Sequence, residues 1–174
     1  MKLLAHISDD KTRTQTIEEH LTSTAALAGT FAAAFGAQAE AAYTALLHDI
    51  GKYSAGFQQR LQGGPPVDHS TAGAKAAIQD GNIPAALAIA GHHSGIPDLG
   101  NPHDTADEST LVGRSKRRIE DCSQWKQEIS PCQSRSAAVA APPAGQPDHG
   151  LFHPDALLQP GRCRFHRHRD LHGR

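Results

Sequence analysis

Ala39-Glu40-Ala41-Ala42-Tyr43-Thr44-Ala45-Leu46-Leu47-His48-Asp49-Ile50-Gly51-Lys52 is the stretch on which the fold turns. Ala39, Ala42, Tyr43, Leu46, Leu47 and Ile50 recur at intervals of one, three and four, which predicts one amphipathic helix over 39–50, stopped by Gly51. An imidazole and a carboxylate, His48 and Asp49, stand side by side at its C-terminal end. Working outward, the same periodicity predicts a helix from Thr16 to Phe35 carrying Ile17, Leu21, Leu27, Ala28, Phe31 and Phe35. Thr16 and Glu19 have the spacing of a capping box, and Gly36 supplies the stop. Gly63-Gly64-Pro65-Pro66 reads as a loop. Asp68 caps a helix running to about Gln79, and Pro84 opens another that ends near Gly91. Residues 96–108 read as an exposed loop, and Leu111 to Ile129 as a last, charged helix. Nothing alternates like a strand, so the expected class is all-α.

The chain has 174 residues, enough for one ordinary domain and its core. Its net charge of −1 excludes a protein that grips nucleic acid by bulk basicity. The apolar stretches are short and Ala-rich, so no membrane span is expected, and the Met1 end lacks the apolar core of a signal peptide. Three cysteines without CxxC spacing argue against a disulfide framework and point to a reducing, cytoplasmic setting. The 12 histidines are the anomaly, because imidazole is the common metal ligand and proton shuttle.

Those histidines fall into two groups. His20 lies within the first helix, beside Ile17, Leu21 and Thr24. His48-Asp49 ends the second, His69 follows Asp68 at a helix start, and His92-His93 ends an Ala-rich helix between Gly91 and Gly95. Mixed imidazole and carboxylate donors suit divalent first-row metals better than calcium, and one carboxylate between two sets of imidazoles can bridge two ions. Two such ions can clamp a phosphodiester. His6 and His103 carry no assignment. The other five (His149, His153, His166, His168, His172) fall in a segment of different composition. Residues 131–174 hold 6 arginines and 6 prolines but neither lysine nor glutamate.

The ordered set resembles the HD-domain metal-dependent phosphohydrolases, and within them the nuclease domain of the CRISPR-associated nuclease–helicase of type I systems. The residues that carry it are Glu19-His20-Leu21, Leu47-His48-Asp49-Ile50-Gly51-Lys52 with Phe57-Gln58, Asp68-His69-Ser70 with Ala72-Gly73-Ala74, and Ala90-Gly91-His92-His93-Ser94-Gly95 with Pro97-Asp98. The resemblance runs from about His6 to about Ile129 and implies a helical HD bundle over 1–130. It implies one ion on His20, His48 and Asp49, and a second on Asp49, His69, His92 and His93. Lys52 would contact the scissile phosphate. The implied cofactors are divalent ions (Mn, Fe, Co, Ni or Mg). The implied activity is endo- or exonucleolytic cleavage of single-stranded DNA, delivered by an RNA-guided surveillance complex. A helicase domain, on the same or a separate chain, feeds the DNA. An HD phosphohydrolase acting on nucleotides, or a non-catalytic remnant, are the alternatives.

One departure goes with the resemblance. These nucleases take a further aspartate for the first ion from a late helix, commonly within Val-Asp-Ala-Asp, and no such stretch follows Leu111. Leu158 to Phe165 can be encoded so that the frame one base later reads Ser-Ser-Leu-Val-Asp-Ala-Asp. We therefore expect residues 131–174 to be a frameshifted, irregular and disordered tail, leaving the first site incomplete and activity low or absent. Sequencing the locus decides this: a coding strand with no frame for the aspartate helix overturns it.

Overall fold

The computed structural model describes residues 2–131. The expected tail and its domain boundary lie, apart from Pro131, outside the described residues. The all-α expectation holds for the body of the domain, in which seven helices occur among the described residues. They are α1 (Ile17–Ala32), α2 (Gln38–Leu47), α3 (Ala55–Arg60), α4 (Ser70–Gln79), α5 (Ile83–Gly91), α6 (Leu111–Lys116) and α7 (Trp125–Glu128). Ahead of them stands a two-stranded antiparallel ribbon, β1 (Leu4–Ile7) with β2 (Thr14–Thr16), which the sequence reading lacked. Its strands are too short and, in Thr14-Gln15-Thr16, too polar to alternate visibly.

Local chemistry sets the helix ends. Thr16 Oγ1 accepts from Glu19 N while Thr16 N donates to Glu19 Oε2, the reciprocal box expected from the spacing. Gly36, at φ 75°, ends the 3-10 turn of residues 33–35 that follows α1. Asn82 Oδ1 accepts from Ala85 N at the start of α5. At the start of α4 the Asp68 carboxylate accepts from Thr71 N, Thr71 Oγ1 and Ser70 Oγ.

Three expectations need correction. The second helix stops at Leu47, and residues 50–53 form a separate 3-10 turn, so Ile50 enters the core from a different element. The single helix expected over 111–129 is two short ones. Arg117 leaves helical geometry at ψ 142°, its guanidinium donating to Ala106 O, Glu108 O and Asp68 Oδ2 while its own carbonyl accepts from Lys75 Nζ. Those tertiary bonds compete with the next helical turn. The 96–108 loop is not uniformly exposed either, because Asp104 is buried and accepts from Asn101 N and Thr110 Oγ1.

The core gathers Ile17, Leu21, Tyr43, Leu47, Ile50, Ile89, Leu111 and Ile129 around small alanines from α4 and α5. Alanine at the contacts lets these helices approach closely. The α1 stripe divides: Ile17 and Leu21 are fully buried, whereas Leu27, Phe31 and Phe35 are exposed. Tyr43 is buried to the ring, and its hydroxyl donates to Asp80 Oδ2 at 2.8 Å. Tyr43→Phe should cost about 1 kcal/mol, near the low end for a bond to a charged group because the exposed Asp80 can be rehydrated. A lower urea midpoint at unchanged m checks it.

Candidate metal centre

Five elements converge on Asp49. α1 presents His20 from its inner face. His48 is the last αR residue after α2, and Asp49 links it to the 3-10 turn that carries Lys52. His69 directly precedes α4, and His92 and His93 directly follow α5. Two close backbone approaches bring these ends together. A Cβ on Gly51 would lie 2.2 Å from His69 O, and one on Gly73 would lie 2.1 Å from Leu47 O. Only glycine permits either contact.

Asp49 is buried, and its two oxygens face different histidines. Oδ2 lies 2.9 Å from His20 Nε2, 3.1 Å from His48 Nε2 and 2.8 Å from Lys52 Nζ. Oδ1 faces His69 Nε2 and His92 Nε2, each at 3.3 Å, and has no hydrogen-bond partner. His93 Nε2 stands 2.9 Å from His69 Nε2. All seven residues singled out in the sequence are therefore brought into one cluster.

Backbone carbonyls orient the rings. His48 Nδ1 donates to Ala45 O and His92 Nδ1 to Ile89 O, both at 2.7 Å, and His69 Nδ1 donates to Val67 O at 3.2 Å. A carbonyl can only accept, so Nδ1 carries a proton and each ring points its Nε2 toward the carboxylate. Lone pairs facing an anion across about 3 Å repel unless positive charge lies among them. Burial opposes ionisation of Asp49, yet contacts to His20 and His48 hold its carboxyl well below the usual carboxylate range. Burial also lowers His69 and His93, favouring the neutral, ligating form, whereas for His92 the Asp49 contact outweighs burial and raises it.

The donor set fits divalent ions. His20 Nε2, His48 Nε2 and Asp49 Oδ2 form a triangle with edges of 2.9, 3.1 and 3.2 Å. Donors about 2.1 Å from a first-row metal and at right angles to one another stand about 3 Å apart, so the triangle has the size of one coordination face. Asp49, His69, His92 and His93 form a second group in which one donor atom from each residue lies within 4.8 Å of the others. The unpartnered Oδ1 belongs to that second group.

Two neighbours had escaped the sequence reading. His6, on β1, stands edge-on to His20 with ring centroids 4.8 Å apart. Arg114, at the end of α6, donates to Ser70 Oγ and Ser94 Oγ, each one residue after a histidine of the second group. Neither carries a motif, since both arrive through tertiary packing.

Among the described residues no helix is long and apolar enough to cross a membrane. A comparison with curated proteins finds no match. The HD domain model, by contrast, matches residues 17–125, from the first residue of α1 to the first of α7. That span takes in every histidine facing Asp49 except His6, and the chain accordingly belongs to the HD domain family, whose members bind divalent metals and are typically metal-dependent hydrolases.

Proposed function

We propose that this chain is the metal-dependent nuclease domain of a type I CRISPR defence system, hydrolysing phosphodiesters of single-stranded DNA in the cytoplasm. The observation that carries a two-ion site is the division of Asp49: Oδ2 faces His20 and His48, and the unpartnered Oδ1 faces His69 and His92. The choice of DNA, and of partners, rests on the ordered motifs, above all Gly91-His92-His93-Ser94-Gly95. The partners are a helicase domain, on the same or a separate chain, and an RNA-guided surveillance complex.

In this reading His20, His48 and Asp49 hold one ion and Asp49, His69, His92 and His93 the other, the metal being Mn, Fe, Co, Ni or Mg. Divalent ions in such ligands supply Lewis acidity, lowering the pKa of water and offsetting charge on a phosphodiester. The carbonyls of Ala45, Ile89 and Val67 keep the imidazoles aimed, so no reorganisation is needed at the moment of reaction. Lys52, buried and 2.8 Å from Asp49 Oδ2, would offset the charge that develops on a phosphate held at this centre. Lys52→Met should lower kcat by roughly 10²–10³-fold, the cost of losing one preorganised donor, with metal stoichiometry unchanged.

Among the described residues Asp49 is the one carboxylate that reaches His20 and His48, so binding of the first ion should be the weaker of the two. A cleavage assay with single-stranded DNA and Mn2+, run on this chain and on one carrying a restored aspartate helix, tests the reading. Higher activity in the restored chain is expected. Equal activity overturns the importance of the late ligand, and a preference for nucleoside phosphates over DNA replaces the nuclease by a nucleotide hydrolase. Absence of turnover in both chains makes the domain a non-catalytic remnant.

A further inference from the structure

The ordered motifs leave His6 and His103 without a role, and of the two it is His6, on β1, that stands beside His20 and Asp49. The strand is fastened to the metal-side machinery by one side chain. Gln58 Oε1 accepts from Leu4 N at 3.1 Å, and Gln58 Nε2 donates to both Leu4 O and Lys52 O at 2.9 Å. Ala5, fully buried, anchors the same strand in the core. The Gln58 side chain thus ties the backbone of β1 at Leu4 to that of the 3-10 turn at Lys52, two residues from His6 and three from Asp49.

The orientation of His6 follows from its partner. Lys52 Nζ lies 3.2 Å from His6 Nε2, and an ammonium has no acceptor lone pair. Lys52 therefore donates, His6 Nε2 accepts, and the ring proton sits on Nδ1. The same ammonium is 2.8 Å from Asp49 Oδ2. The His6 lone pair and Asp49 Oδ2 thus converge on one positive charge. His6, His20 and Asp49 also each offer a donor atom within 4.8 Å of the others. Among the described residues, Asp49 is the carboxylate that reaches His20 and His48.

We propose that His6 Nε2 is the additional ligand of the first ion, alongside His20, His48 and Asp49, taking the place that a late carboxylate would fill. A neutral imidazole in place of an anion leaves the first site with one less negative charge, and it suits softer first-row ions such as Ni2+, Co2+ or Zn2+ over Mg2+. This rests on the two-ion reading above, but not on DNA being the substrate.

The decisive measurement is made on the full, unaltered chain, with 15N-labelled histidine and Zn2+ added in steps. The His6 Nε2 resonance is expected to move from the free to the metal-bound position with the first-site histidines His20 and His48. A His6 resonance that stays put while His20 and His48 move overturns the proposal and leaves the two-ion reading intact. If no histidine resonance responds to Zn2+, both fall. Calorimetric titration with Co2+ gives the second arm. His6→Ala should weaken one of two sites tenfold or more and leave the other unchanged, and His6→Asp should recover most of that loss. Two unchanged sites in His6→Ala would overturn the ligand role. A purely positioning role through Lys52 predicts that His6→Ala changes nothing in a Lys52→Met background. The ligand role predicts that the tenfold loss persists there, and that difference separates the two.

Discussion

Asp49→Asn is expected to remove high-affinity binding at both proposed metal sites and, with it, the proposed metal-dependent hydrolysis, while the helical circular dichroism stays. Both sites fail together because the two carboxylate oxygens serve different histidine sets, at 2.9 and 3.1 Å on Oδ2 and 3.3 Å on Oδ1. An amide keeps one oxygen and replaces the other by an NH2 group, which donates and cannot ligate. It also removes the one anion inside a cage of four imidazoles and an ammonium. Outer-shell changes at metal centres typically cost about 10–100-fold in affinity, so loss of a shared inner ligand should exceed that at each site. Asparagine is preferred to alanine because its carbonyl still accepts from the buried Lys52, which would otherwise be left as an unpaired internal cation. Calorimetric titration with Mn2+ or Co2+ reads the result. Two ions bound at wild-type affinity by Asp49→Asn would place the metal centre elsewhere.

The residues that gather around Asp49 were legible in the sequence, whereas much of what aims them was not. His48-Asp49 at the end of a periodic helix and His92-His93 between two glycines announce themselves, because such residues weaken helix ends without improving packing. The α1 capping box, the Gly36 stop and the helix starts at Asp68 and Pro84 are local features that follow from spacing alone, whereas the Asn82 cap emerged only with the structure. The β1–β2 ribbon is held by Gln58 from α3, fifty-four residues away, and nothing near Leu4 foretells that bond. The break between α6 and α7 has the same origin, since Arg117 trades helical bonds for Asp68, Ala106 and Glu108. Exposure of Leu27, Phe31 and Phe35 contradicts their helical spacing for a related reason. Periodicity reports which residues share a face, and only the packing of neighbours decides whether that face is covered.

Gly73→Ala is the sharpest test of how the two halves of the centre are joined. On helix propensity alone the change should stabilise α4, since alanine exceeds glycine by about 1 kcal/mol in a helix interior. Packing reverses the sign. The new methyl would lie 2.1 Å from Leu47 O and 2.9 Å from Ile89 Cγ2. Leu47 O belongs to the backbone that leads directly into His48 and Asp49, and its side chain is fully buried, so it cannot swing aside. α4 must instead move off α2. Overpacking commonly costs about 1–3 kcal/mol, and a backbone obstacle places this case at or above the top of that range even after the propensity gain. For a domain of this size the melting temperature should fall by roughly 10 °C. The same displacement carries His69, at the head of α4, away from Asp49 Oδ1, so the second site should weaken more than the first. Leu47→Ala offers no such coupling: it leaves a cavity and costs about 2–5 kcal/mol, with no methyl to drive the helices apart. Loss of stability with selective loss at the second site would show that contact between α2 and α4 sets the spacing of the metal centre. A more stable Gly73→Ala variant with both sites intact would show that α4 is free to slide and that His69 is held by its own loop.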